Sequence, residues 1–231
     1  MTTAVAVWAV VVAAGSGERL GGDHPKAFVR FGDAPMIMSS VVVLDEHPAI
    51  DGIVLVVPEG WEERATFMAD EAGVGKARVA VAGGNTRSDS VALGVVEVPE
   101  DVAVILVHDA ARPLLSPALI DRVLAGFADG ADGVIPALPI NDTVKRVDAA
   151  GRVCETLERG LLRTVQTPQA FRADLLRRAL EAPDRMTGTD CASLVERIGG
   201  EVITVLGDPR ALKIATKDDL LRAEELRLDA D

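Results

Sequence analysis

Mostly apolar runs, rich in β-branched residues, occupy residues 4–12, 53–57, 78–81, 102–107, 133–136 and 201–205. A strand with one face in water alternates apolar and polar positions. A strand covered on both faces has no such need, so these runs predict strands buried inside a layered fold. Helix-like stretches lie between and after them, at 35–44, 61–71, 87–96, 117–127, 173–180, 190–198 and 217–226. Strand and helix alternating in this way predict a largely parallel sheet wrapped by helices, a three-layer α/β domain. The interval 141–166 breaks the rhythm. Its core, TVKRVDAAGRVCETLE, has two short alternating segments around Asp148-Ala149-Ala150-Gly151, the pattern of a projecting β-hairpin. A projecting hairpin exposes edges that call for a partner, which makes it a candidate dimerisation arm. The pattern alone fits an excursion packed on its own domain equally well.

Composition narrows the picture. With 231 residues, 48% of them hydrophobic, the chain has the size of a single domain spanning 1–231. A formal net charge of −12 argues against a general nucleic-acid or anionic-membrane surface, because both need a basic face. Any anion held here must be gripped by local cations, backbone N–H groups or a metal. Cys154 and Cys191 form no C-x-x-C pair and no cluster with histidine, so neither a disulfide framework nor a structural zinc site is indicated. Idle thiols suit a reducing compartment, and a cytoplasmic location is expected. The opening AVAVWAVVVAA is too short to span a bilayer and lacks a preceding basic segment, so it reads as a buried strand.

The candidate chemistry begins where the first apolar run ends. VVAAGSGERLGGDHPKAF, residues 11–28, breaks at Gly15 into a loop holding four glycines and two cations, Arg19 and Lys26. A strand leading into such a turn offers backbone N–H groups to an anion without side-chain obstruction. The dinucleotide fingerprint fails, since Leu20 stands where its third glycine belongs, and no G-K-[ST] ending marks a P-loop. Two cations flanking a glycine turn suit a triphosphate whose α-phosphoryl group is attacked as pyrophosphate departs. Solvated loop cations are the plainer alternative. AGGNTRSDS, 82–90, is a second glycine turn entering a helix, either a nucleoside-reading loop or a simple helix cap. ILVHDAARP ends another strand with Asp109 and Arg112, at the edge where open α/β sheets bind ligands. Asp109 is there either a ligand for Mg²⁺ or half of an ion pair with Arg112. His108 reads as a hydrogen-bonded structural histidine.

AAGSGERLGGDHPKAF, AGGNTRSDSV, LVHDAARP, NDTVKRV, TVQTPQAF, TDCASLVE and KIATKDDL occur in this order across nearly the whole chain. Together they resemble the 2-C-methyl-D-erythritol 4-phosphate cytidylyltransferases of the non-mevalonate isoprenoid pathway. The resemblance implies a Rossmann-like nucleotidyltransferase domain with a projecting β-arm at 141–166, a homodimer joined through that arm, and transfer of CMP from CTP to methylerythritol phosphate with Mg²⁺. It further implies that Arg19 and Lys26 stabilise the charged transition state, and that Ala13, Ala14, Gly15, Gly84, Asn85 and Ser90 receive cytosine and ribose. Asp109 would hold the magnesium ion, with Arg112 near the nucleotide. Thr143, Arg159 and Thr167 resemble arm residues that reach the neighbouring subunit's acceptor, while Thr189 and Lys213 complete the pocket. Arg159 and Lys213 resemble the residues that position the attacking phosphate. Such chemistry needs no protein nucleophile, since the acceptor already carries a phosphate anion. Two alternatives stay open: a cytidylyltransferase for another polyol phosphate such as ribitol 5-phosphate, and a nucleotide-binding module without catalysis.

Overall fold

The computed structural model of the chain describes residues 5–15, 24–182, 188 and 190–229, the side chain of Asp129 excepted. Strand β1 (Val7–Val12) runs through the middle of an eight-stranded sheet. It pairs in parallel with β4 (Gly52–Val57) on one side and β6 (Val104–Asp109) on the other, and β5 (Ala77–Ala82) extends the parallel set beyond β4. Every residue of β4 and β6 is buried, the outcome expected of strands with no polar alternation.

Beyond β6 the direction reverses. β11 (Gln169–Arg172) lies antiparallel to both β6 and β7 (Gly133–Pro139), so β7 again runs with the parallel majority. β12 (Val202–Leu206) pairs in parallel with the outer side of β7, and β10 (Arg163–Val165) pairs antiparallel with its far end. All six expected strands form. β10, inside the excursion at 141–166, and β11, in a stretch the sequence assigned to no element, are additions. A ribbon of β2 (Arg30–Phe31) and β3 (Ala34–Pro35) is another.

The period-two geometry of the sheet sorts its side chains into two cores. Ala9, Val11, Ile53, Leu55 and Leu106 face α1 (Met36–Glu46), α2 (Glu62–Glu71) and α4 (Pro117–Ala125). Val10, Val54, Val56, Ile105 and Phe171 face α3 (Arg87–Val96), α5 (Ala173–Glu181) and α6 (Cys191–Arg197). Three layers result. Gly94 lets α3 settle close to the sheet: a Cβ there would stand 2.6 Å from methyl groups of both Val10 and Val56. α7 (Lys217–Leu228) starts with a reciprocal cap between Thr216 and Asp219 and packs Ala223 and Leu220 beside Phe31, Met36 and Ile214. No helix among the described residues is long and apolar enough to cross a membrane.

β8 (Lys145–Val147) and β9 (Val153–Thr156) pair antiparallel, with every residue of both strands exposed. Their turn is closed by Gly151 N–H on Asp148 O at 3.0 Å, and Gly151 takes φ +80°, a conformation that glycine adopts without strain. Val147, Val153 and Leu161 are exposed on this excursion.

Candidate active site

Neighbouring parallel strands end side by side, which brings three distant motifs to one sheet edge. β1 leaves the sheet through Ala13, Ala14 and Gly15, with Ala13 N–H still bonded to Val56 O at 2.7 Å. β5 leaves through Gly83 and Gly84 into α3, and β6 ends on Asp109. These exits frame a cleft of about 440 Å³ whose lining includes Ala13, Ala14, Gly15, Lys26, Gly84, Asn85, Arg87, Ser90, Asp109 and Lys213.

Close packing holds the two glycine turns together. A Cβ on Gly83 would stand 2.2 Å from the Ala14 methyl, so only glycine permits this approach. Ser90 is buried, and its hydroxyl accepts Gly84 N–H at 3.1 Å while donating to Thr86 O at 2.9 Å. Thr86 caps α3 by accepting Asp89 N–H. Ser90 therefore fixes the turn from beneath, and Asn85 stands exposed at its tip. The turn is thus a helix cap that also lines the cleft.

Asp109 is buried, 5% exposed, and both its oxygens are taken by cations. Arg87 donates to Oδ1 from Nε and Nη2, at 3.0 and 2.9 Å. Lys213 Nζ donates to Oδ2 at 2.7 Å. Burial alone would push the Asp109 carboxyl up, but the Arg87 and Lys213 charges outweigh it and hold the group well below the usual carboxylate range. The partner of Asp109 is thus not Arg112. The Arg112 guanidinium donates to Ala211 O at 2.7 Å and Val165 O at 3.3 Å, and Arg112 is absent from the cleft lining. One of these carbonyls belongs to the Lys213 loop and the other to β10, while the buried Arg112 Nε has no hydrogen-bond partner among the described residues.

Gln166 grips the same loop, donating to Asp208 O at 2.8 Å and accepting Asp208 N–H at 2.9 Å. Ile214 N–H closes on Ala111 O at 2.8 Å. Thr167 lies under its own subunit's site rather than out on the excursion: its buried hydroxyl accepts Asp109 N–H at 3.0 Å and meets His108 Nδ1 at 3.2 Å. His108 Nε2 donates to Arg112 O at 3.2 Å. Burial pushes the His108 imidazole down to about 4, so the ring is neutral near pH 7 and serves the hydrogen-bonded structural role expected of it.

Thr143 and Arg159 are exposed on the excursion and absent from the lining of this cleft; an Arg159 guanidinium N–H bonds Asn141 O instead. Arg19 and Thr189 lie outside the described residues. Arg87 and Gln166 escaped the sequence reading, although each stands inside a motif it singled out. Among the described residues no three His, Cys, Asp or Glu side chains come together as a metal cage. Asp109 is the one carboxylate in the described lining. A single hard oxygen donor fits an Mg²⁺ that arrives with phosphates better than a resident ion held by protein alone.

An open α/β sheet whose strand ends join two glycine turns, a buried carboxylate and lysines at one cleft defines a nucleotide-binding protein of the nucleotidyltransferase class. The family model described as IspD: 2-C-methyl-D-erythritol 4-phosphate cytidylyltransferase matches residues 7–227, and the chain belongs to that family. A protein of that name from Nocardia farcinica is 50% identical over 95% of this chain and 93% of its own length, and one from Rhodococcus jostii is 47% identical over 95% and 94%. Among solved structures, 4-diphosphocytidyl-2C-methyl-D-erythritol synthase from Anaerococcus prevotii superposes with a TM-score of 0.82 at 25% identity, covering 96% of this chain and 98% of that one. The cytidylyltransferase from Thermus thermophilus gives 0.76 at 30% identity over 94% and 97%.

Proposed function

We propose that the chain transfers CMP from CTP to 2-C-methyl-D-erythritol 4-phosphate. An acceptor phosphate oxygen attacks the α-phosphorus, the bond from that phosphorus to the oxygen bridging to the β-phosphate breaks, and pyrophosphate leaves with the electron pair. The observation that carries this reading is the meeting of Lys26, Lys213 and Asp109 with two glycine turns in one cleft. No protein nucleophile is required, because catalysis rests on orientation and on neutralising the phosphates. Ala13, Ala14, Gly15, Gly84 and Asn85 receive the nucleoside, with Ser90 holding their turn. Lys26 and Arg19 stabilise the charge that builds on the triphosphate. Asp109 would hold Mg²⁺, which supplies charge neutralisation on the phosphates when bound.

Lys213 and Arg159 position the acceptor phosphate, with Thr143 and Thr189 around it, and Thr167, expected beside the acceptor, supports Asp109 from beneath. Arg159 and Thr143 are assigned to the neighbouring subunit's cleft, in a homodimer joined through the arm at 141–166. Their absence from the cleft lining of their own chain and the exposed apolar side chains of the hairpin support this assignment. CTP and the acceptor point to the cytoplasm. The relatives named above carry methylerythritol in their names, so ribitol phosphate is not favoured as the acceptor. A non-catalytic module is disfavoured by the presence of Lys26, Asp109 and Lys213 in one cleft. The test is pyrophosphate release with CTP, Mg²⁺ and either acceptor: turnover is expected with methylerythritol phosphate, and turnover with ribitol 5-phosphate alone would overturn the assignment.

A further inference from the structure

Asp109 carries one negative charge and is held by two cations, an excess that suits a site awaiting more anion. The two cations are anchored very differently. Arg87 is fixed at the first turn of α3 with its side chain 26% exposed, puts two nitrogens on Oδ1, and reaches Cys191 Sγ with its remaining terminal nitrogen at 3.6 Å. Cys191 is buried at the start of α6, so Arg87 ties α3, β6 and α6 together beneath the cleft. Lys213 makes one bond to Oδ2 from a side chain that is 46% exposed, on a loop that lines the cleft. A flexible ammonium can exchange one anionic partner for another, whereas a planar guanidinium bound through several donors stays where it is.

We infer that Arg87 is a positioning residue that keeps the buried Asp109 carboxylate compensated, so that Lys213 can leave Asp109 for the incoming acceptor phosphate. The inference rests on reading the cleft as a phosphate-handling site. Without Arg87, Lys213 is the one cation that the described residues set against this buried carboxylate, and in the absence of Mg²⁺ releasing it would strand that charge. Lys213 then stays on Asp109, and the acceptor loses its cation. CTP is gripped by other groups and is affected little.

The test compares Arg87→Gln, Asp109→Asn and the double variant with the parent by calorimetry, without turnover. In the absence of Mg²⁺, CTP is titrated alone, and methylerythritol phosphate is titrated against a non-hydrolysable CTP analogue. Arg87→Gln should weaken acceptor binding at least ~10-fold and leave CTP affinity within ~3-fold, an asymmetry that general loosening of the fold would not produce. Adding Arg87→Gln to Asp109→Asn should cost no further acceptor affinity, because no carboxylate remains to detain Lys213; this comparison also serves if the single Gln variant fails to fold. Unchanged acceptor binding in Arg87→Gln, an equal loss for CTP, or additive losses in the double variant would each overturn the inference. Inorganic phosphate is a second probe. The same order of variants with phosphate, beside a parent that cannot turn over methylerythritol phosphate, would keep the Arg87 assignment and sink the acceptor reading instead.

Discussion

Lys26 follows Pro25 and opens a short 3₁₀ turn whose next residues, Ala27 and Phe28, are buried, so its backbone is set by the core while its side chain lines the cleft. A cation held in place before charge develops stabilises a transition state more than one that must be recruited. Lys26→Ala should therefore lower kcat by ~100-fold or more with folding intact, checked by steady-state pyrophosphate release and a thermal melt. His108 makes a second prediction, about stability. The folded protein keeps its ring neutral down to about 4 while the unfolded chain protonates near 6.5, so between these values the unfolded state binds more protons. The stability is intact above pH 6.5, is lost as pH falls, and is fully lost below about 4. The size is about 3 kcal/mol for a shift of this extent. Denaturant unfolding at pH 7 and pH 4, without nucleotide or metal, should show His108→Gln losing about that much less than the parent over the interval. At this scale the cleft was legible wherever chemistry and strand end coincide: Asp109, Lys26 and the glycine turns announced themselves. Arg87 did not, because a cation at the start of a helix reads as solvated until the fold sets it against a carboxylate 22 residues away.

Elements decide how well those residues are held. Parallel strands covered on both faces left apolar runs such as GIVLVV that no other element explains, which is why the central sheet could be read from pattern. β11 left no comparable trace. It has four residues, begins with Gln169 bonded to Asp190 and ends with Arg172 exposed, yet it is wedged antiparallel between β6 and β7. Its place depends on pairing partners more than 30 positions away, which a local pattern does not record. α3 was legible, but not its closeness to the sheet, which depends on Gly94 lying over Val10 and Val56. Gly94→Val would force the helix outward. It should cost about 1–3 kcal/mol as overpacking does, measured by denaturant unfolding. Because α3 carries Ser90, which fixes the Gly84 turn, in its first turn, the surviving protein should also bind CTP more weakly by calorimetry. Equal affinity in a clearly destabilised variant would show the helix start to be held independently of its middle.

For the whole molecule, the proposed dimer would join the exposed hairpin of one copy to the cleft of another. The hairpin offers Val147, Val153 and Leu161 to solvent, surface that is costly to leave uncovered and well suited to an isologous contact. On the reading advanced above, each cleft draws Lys26, Asp109 and Lys213 from one subunit and Arg159 from the other. Two defective subunits can then repair each other. Lys26→Ala and Arg159→Ala homodimers should both be poorly active. A verified heterodimer of the two variants should regain activity, because one of its two clefts receives Lys26 and the partner's Arg159 intact. Such a cleft should turn over as the parent's does, so the mixed dimer should reach about half the parent rate if the two clefts work independently. Purification through two different affinity tags isolates the mixed dimer, and pyrophosphate release measures it. Activity no higher than the mean of the two defective homodimers would mean that Arg159 serves its own subunit or neither, and the hairpin would then be an interface without a part in the acceptor site.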